Sequence, residues 1–352
     1  MPVTTATAPY ICEIRIPTYK RPDMLERAIG QLAAQTVLKN GARLHGVIFD
    51  DSPAQEGRAI VRKHEDRHPG LTLSYRPNRE NLGISRNLGQ CFRTAAYEPS
   101  DHVFCLEDDN SVFPGFIAAN IRLLEETGTA IAIRNQYIET TDNEIDHTRT
   151  TMPDAWATDS AGVGVLQPTD LLTCLFTNLG ISNGALFWRS DAASELMIGE
   201  DCADPVLIEY LRPFAIREPV AFANTPLGAW RDNEKESFRI LANRMQDRLT
   251  NYRGLKAISA LRRAALAAIA DNDRAALYER AAECRWGTID RAYAHALIPA
   301  RPRVTGMAAL ARHWAKGLAC HALPAAQIGE RSAGIVRAQL AWLANGLKAG
   351  QS

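Results

Sequence analysis

No sign of charge is in excess in this sequence: 40 Lys and Arg stand against 40 Asp and Glu, for a formal net charge of zero. A nucleic-acid-binding surface usually needs a basic excess, so no nucleic-acid partner is expected. No run of 18 apolar residues occurs, and a membrane-spanning helix is therefore not expected. The opening residues, MPVTTATAPY, have no basic patch followed by an apolar core, so a secretory signal is not expected either. The seven cysteines, at 12, 91, 105, 174, 202, 284 and 320, are odd in number and form no C-x-x-C. A disulfide framework and a zinc site both fit poorly, and reduced thiols in a cytoplasmic protein fit better. At 352 residues the chain suits one large or two ordinary domains.

What is present is an alternation. Residues 10–16, 44–49, 71–75, 102–106 and 129–134 read as strands, and 22–32, 54–67, 84–96 and 114–126 read as the helices between them. Pro22 suits the first position of a helix, where a missing N–H is harmless. Met24, Leu25, Ala28, Ile29 and Leu32 then recur at helical spacing. Strands alternating with helices of about ten residues or more predict crossover connections and a mostly parallel sheet. Residues 136–167 are polar and read as a long loop over the site or a small excursion. Residues 181–188 read as a strand, Asp191 opens a short helix, and a helix runs to about 210, before Pro213. A last strand is expected over 214–223. From about 234 alanine rises and strand signals end. Phe238, Leu241, Met245, Leu249, Tyr252 and Leu255 step by three or four, and helices are expected at 273–298, 305–320 and 325–348. The 28-residue spacing of Trp286, Trp314 and Trp342 hints at helical hairpins. The expected division is residues 1–234 and an all-α region, 235–352.

Three strands end in distinctive polar groups: Thr18-Tyr19, Asp50-Asp51 and Glu107-Asp108-Asp109. In parallel sheets the ligand crevice lies at the carboxyl ends of the strands, so all three should converge there. Adjacent ionised carboxylates are unfavourable beside a core unless paired or metal-bound, and such a cluster is where a hard cation would be held. A solvated acidic turn is the plainer reading of Glu107-Asp108-Asp109 alone.

Taken together the motifs resemble the GT-A-fold glycosyltransferases of family 2 over residues 10–235. Ile16-Pro17-Thr18-Tyr19-Lys20-Arg21 is similar to the family's opening strand and turn, and Val47-Ile48-Phe49-Asp50-Asp51-Ser52 to its base-binding acidic turn. Asn81-Leu82-Gly83-Ile84-Ser85-Arg86-Asn87-Leu88-Gly89 resembles its glycine, arginine and asparagine stretch. Leu106-Glu107-Asp108-Asp109-Asn110 sits where the family has its D-x-D motif, and Gly199-Glu200-Asp201 resembles the Glu-Asp pair that supplies the base. The resemblance implies an α/β, GT-A (Rossmann-like), mostly parallel sheet flanked by helices, with an all-α C-terminal region.

It further implies an inverting, metal-dependent transferase moving one sugar to an acceptor hydroxyl. The metal would be Mn²⁺ or Mg²⁺, on Asp109 with Glu107 beside it. Glu107 stands where aspartate is usual. Asp108 would reach the ribose or the cation. Asp50 and Asp51 would face a base offering an imide N–H, hence UDP or dTDP, with UDP favoured. Pro17, Thr18, Tyr19, Arg21, Asn81, Gly83 and Arg86 would line the donor pocket, and Asn183-Gly184 would let the sugar or acceptor approach closely. Asp201 is the candidate base with Glu200 beside it; the plainer reading is that they cap a helix starting near Cys202. Trp188, Trp230 and Arg231 read as packed residues near the acceptor side. Two departures stand out. There is no Q-x-x-R-W motif, and no histidine follows the last strand, where Asp232 is the nearest substitute.

Other readings remain open. A nucleotidyltransferase-like enzyme would need a glycine-rich loop after the first strand, and residues 17–22 contain no glycine. A glycoside hydrolase also uses paired carboxylates but needs no nucleotide pocket. A non-catalytic relative could bind partners through the helical region, which is also a candidate homodimer surface. The acceptor, a saccharide or small molecule among the candidates, is not legible.

Overall fold

The architecture follows from where the apolar strand residues are buried. The computed structural model describes residues 10–140, 142–152, 156, 158–176, 180–202, 206–232, 244–268, 307 and 324–349. The expected helices over 273–298 and 305–320, with Trp286 and Trp314, lie outside these residues but for Met307.

The main sheet has eight strands. In chain order they are β1 (Tyr10–Thr18), β2 (Leu44–Asp50), β3 (Leu71–Pro77), β4 (Ser100–Cys105), β6 (Ile131–Arg134), β9 (Val163–Leu166), β10 (Leu186–Arg189) and β11 (Val220–Ala223). Their order in space is β3-β2-β1-β4-β10-β6-β11-β9. Six run the same way; β10 and β9 oppose their neighbours. The sheet is thus mostly parallel, as expected. A smaller sheet, ordered β5-β12-β7-β8, joins β5 (Ser111–Val112), β7 (Tyr137–Glu139), β8 (Ile145–Thr150) and β12 (Gly228–Arg231).

Helix α1 (Pro22–Ala33) begins with its proline and buries Leu25, Ala28, Ile29 and Leu32. Short α2 (Thr36–Lys39) follows it, and α3 (Gly57–His64), α4 (Ile84–Gln90) and α5 (Phe116–Thr127) form the crossovers. Gly128 adopts the left-handed conformation that ends α5, a position glycine fills without steric penalty. Both faces of the sheet are covered. Strand β2 is therefore buried along its whole length and reads as a continuous apolar run rather than an alternation.

Several expectations change in the later half. Residues 136–167 are not a plain loop: they supply β7, β8 and β9, whose strands are too short and too polar to show a period. Residues 183–185 form a 3₁₀ turn, and only Leu186–Arg189 is strand. Asp191 opens no helix; it lies in a turn and pairs with Arg189 at 2.7 Å. After α6 (Pro168–Leu171), α7 (Val206–Ala215) continues through Pro213. Only Val220–Ala223 of 214–223 is strand, and β12 follows it.

Two long helices complete the described chain, α8 (Arg244–Ala268) and α9 (Glu330–Ala349). Their buried faces share a second core cluster with α7: Leu207, Leu211 and Phe214 meet Ala257, Ile258, Leu261, Val336 and Leu343. Residues on both sides of position 234 thus bury apolar area together, the dominant source of folding free energy. Trp342 is about half exposed. Among the described residues no helix is long and apolar enough to cross a membrane.

Candidate active site

Strand register brings the acidic ends together. Thr18 pairs with Asp50 across β1 and β2, and Arg15 with Cys105 across β1 and β4. The ends of all three strands therefore lie side by side. Thr18 Oγ1 donates to Asp108 Oδ2 at 2.7 Å. Arg21 Nη1 reaches Asp109 Oδ2 at 2.6 Å and Asp108 Oδ1 at 3.3 Å. Four sequence candidates, Thr18, Arg21, Asp108 and Asp109, meet here across some ninety residues of chain.

Burial and mutual repulsion act on this turn. Asp108 is buried, and desolvation together with the charge of Asp109 pushes its carboxyl up to about 7. Glu107 is pushed up to about 8, by desolvation first and then by Asp109, Glu209 and Asp108. Its Oε2 accepts Asn110 Nδ2 at 3.1 Å. One guanidinium faces three crowded carboxyls, and the donor set is all oxygen. Such a set suits Mg²⁺ or Mn²⁺ held by one or two carboxylates beside phosphate and water. Among the described residues no group of three or more His, Cys, Asp or Glu could hold a metal by itself.

Behind the turn is a support that sequence reading missed. Glu139, on β7, is ion-paired with Arg27 of α1 and, at 3.1 Å, with Arg231 of β12; it also accepts Ser111 Oγ. Arg27 Nη2 donates to the Asp109 carbonyl at 2.5 Å, and the Arg231 N–H to Asn110 Oδ1 at 3.1 Å. Arg231 is thus a buried buttress. Trp188 is fully buried with its indole N–H on the Thr94 carbonyl at 3.0 Å. No sequence signal joins Glu139 to this turn, because only strand pairing in the small sheet brings it there.

The second acidic turn is occupied from within. Asp50 Oδ1 accepts the Ser52 N–H at 2.8 Å; Oδ2 accepts the Gly57 N–H at 3.0 Å and the Tyr75 hydroxyl at 2.7 Å. Asp50 is fully buried, so its carboxylate serves the turn and the start of α3 instead of facing a base. Asp51 Oδ1 accepts Asn78 Nδ2 at 2.9 Å and the Leu82 N–H at 2.8 Å, and Oδ2 the Gly83 N–H at 3.0 Å. Like Asp50 Oδ1, its Oδ2 accepts a single hydrogen bond and so keeps one lone pair. Asn81 donates to the Asp51 carbonyl at 3.2 Å. Gly83 is left-handed with open space where a side chain would be. Pro17 lies in β1 and Tyr19 just after it, with the Lys20 ammonium 5.0 Å from the Tyr19 ring centre. Arg86 is exposed on α4.

Asn183 and Gly184 are differently placed than expected. The space above Gly184 is already taken: a Cβ there would lie 3.0 Å from Asn110 Nδ2 and 3.1 Å from Gln136 Nε2. Asn183 Oδ1 accepts Arg212 Nη2 at 2.8 Å. Arg212 is fully buried, stacks 3.5 Å from the Phe92 ring centre, and is within electrostatic reach of both Glu107 and Glu200. Burial moves its guanidinium down to about 10. Glu200 packs against Gly89 of α4, where a Cβ would lie 2.5 Å from its own, and is ion-paired with Arg331. Asp201 does cap a helix, but not one near Cys202. Its Oδ2 accepts the Arg331 N–H at 3.0 Å and the Ser332 N–H at 3.3 Å, and its Oδ1 the Ser332 hydroxyl.

Residues 13–186, which carry β1 through β4 and the acidic turn, match the model for glycosyl transferase family 2. The chain carries a glycosyl transferase family 2 domain. It is accordingly a glycosyltransferase, and its sheet is the GT-A arrangement. A search of curated proteins gave no match. Among solved structures the chain is similar to S. aureus TarS 1-349 in complex with UDP, with 13% identity over 96% of this chain and 91% of that one, TM-score 0.48. It is also similar to the mannosyltransferase PcManGT from Pyrobaculum calidifontis in complex with GDP-Man and Mn²⁺, with 15% identity over 97% and 89%, TM-score 0.48. Similarity at that depth assigns neither donor nor metal to this family 2 enzyme.

Proposed function

We propose that this family 2 enzyme transfers one sugar from a UDP-sugar, or a dTDP-sugar, to an acceptor hydroxyl with inversion at the anomeric carbon. The observation that carries the reading is the meeting of Thr18, Arg21, Asp108 and Asp109 where β1 and β4 end side by side. Asp109 and Asp108, with Glu107 adjacent, would hold a divalent cation whose charge stabilises the departing diphosphate. Arg21, already paired with both aspartates, adds positive charge on the same side. Asp51, through its remaining Oδ2 lone pair, accepts the imide N–H of the base, while Asp50 holds the turn that presents it. Asp201 takes the acceptor's proton as the acceptor oxygen attacks the anomeric carbon. The bond from that carbon to the diphosphate oxygen breaks, and its electron pair leaves with the nucleoside diphosphate. Residues 1–234 form the catalytic unit in this reading, with 235–352 as a helical region sharing core with α7.

Thermal-shift measurement with UDP, dTDP and GDP, each with and without Mn²⁺, tests the donor and the cation. Stabilisation by UDP with Mn²⁺ is expected, and its loss in Asp109→Ala. Equal stabilisation without the cation, or by GDP alone, would refute this part. Asp201→Asn should bind UDP normally and lose transfer.

A further inference from the structure

The N-terminal turn of α9 meets the candidate base across about 130 residues of chain. Ser332 is fully buried. Its hydroxyl accepts the Gly199 N–H at 2.9 Å and donates to Asp201 Oδ1. An ionised carboxylate can only accept, so the proton in the bond to Asp201 is the serine's. The Arg331 and Ser332 N–H groups converge on Oδ2, where the unpaired amides of a helix start favour a carboxylate. The backbone at Gly329 lies so close that a Cβ there would fall within the Asp201 carboxyl group, so no other residue fits without moving Asp201. The turn is anchored from behind. Val336 and Leu343 are buried against α7 and α8, Gln339 Nε2 donates to the Ile216 carbonyl at 3.0 Å, and the Ala326 N–H to the Arg253 carbonyl at 2.9 Å.

We propose that this turn belongs to the catalytic apparatus, with Ser332 as a positioning residue that holds the Asp201 carboxylate in one orientation; the inference rests on Asp201 being the base. A carboxylate oxygen has two lone pairs. Oδ2 spends both on backbone N–H groups, and Oδ1 spends one on Ser332. The remaining Oδ1 lone pair is the one left to receive the acceptor's proton. The Ser332 proton stays on Ser332 throughout. The helical region beyond the family 2 match thereby supplies part of the chemistry instead of being an appendage.

Two measurements test this. Hydrogen exchange on the full chain should show the Arg331 and Ser332 amides exchanging at least tenfold faster in Asp201→Ala than in wild type; unchanged exchange would refute the contact whatever the substrate. UDP release from UDP-glucose, UDP-galactose and UDP-N-acetylglucosamine, with Mn²⁺ and water as acceptor, tests its effect on catalysis. Ser332→Ala should keep UDP affinity and donor KM and lower kcat by tenfold or more. Ser332→Cys, close in shape with a weaker donor, should lie between and serves in its place if Ser332→Ala does not fold. Wild-type kcat in these variants, with Asp201→Asn inactive, would refute the positioning role alone. Wild-type turnover in Asp201→Asn would instead remove Asp201 as base and the inference with it.

Discussion

Asp108→Asn separates what the acidic turn does for binding from what it does to stability. Asp108 is buried among Glu107 and Asp109, and its carboxyl is raised to about 7. Below the ordinary carboxylate range the group is protonated in both folded and unfolded chains. As pH rises toward 7 the unfolded chain ionises first, unfolding releases a proton, and stability falls. The stability present at low pH is lost through about pH 7 for Asp108, and through about pH 8 for Glu107. The displacement, at about 1.4 kcal/mol per pH unit, bounds the loss from Asp108 near 4 kcal/mol. Sharing of charge with Arg21 and Glu107 brings the expectation to about 2–3 kcal/mol. Asparagine keeps an acceptor for Arg21 and offers Thr18 a donor, so it removes the charge with little change of shape. At pH 8 the cation-free variant should melt about 5 °C above wild type, at roughly 2 °C per kcal/mol for a chain of this size. Its melting temperature should also fall less between pH 5 and 9, while Mn²⁺-dependent UDP binding is lost. Melting curves followed by circular dichroism in chelator across that range measure this. A variant that melts at or below wild type at pH 8 with the same slope would refute the account of a crowded, charge-strained turn.

Asp50→Asn should leave at least one of three buried donors unmatched and lower stability by about 2–4 kcal/mol, with UDP affinity of the folded protein nearly unchanged; loss of affinity at wild-type melting temperature would restore Asp50 to the base pocket. Glu139→Gln leaves Arg27 and Arg231 without their shared carboxylate and should destabilise by about 3 kcal/mol, measured by urea unfolding. In Gly228→Ala the new Cβ would overlap the Ser111 carbonyl of β5; the expected result is weakened pairing of β5 with β12, read as faster amide exchange in both strands, and unchanged exchange would show that the small sheet can give way.

The parts of the fold legible in the sequence were those with a local signature. Leu25, Ala28, Ile29 and Leu32 repeat at a helical period because one face is buried, and β2 runs apolar because both its faces are. The second half hid more: β7, β9 and β12 are three or four residues long, too short to show a period. Pro213 also misled, since a proline can sit within a short helix whose neighbours satisfy the freed carbonyl.

Residue type and position alone determined that distinctive polar groups end three parallel strands, carboxylates on two of them, because alternation implies crossovers and crossovers bring like strand ends to one edge. They also sufficed to place the chain in its family. Which carboxylates remain available there was decided by tertiary structure alone. Asp50 and Asp51 stand adjacent in sequence and each accepts three hydrogen bonds, yet the first is wholly buried against Ser52, Gly57 and Tyr75 while the second ties down Asn78 and residues 82 and 83. Glu139 and Ser332 were invisible as site residues because their partners lie some thirty to 130 positions away. A hydrogen bond depends on distance in space, and only the path of the folded chain sets that.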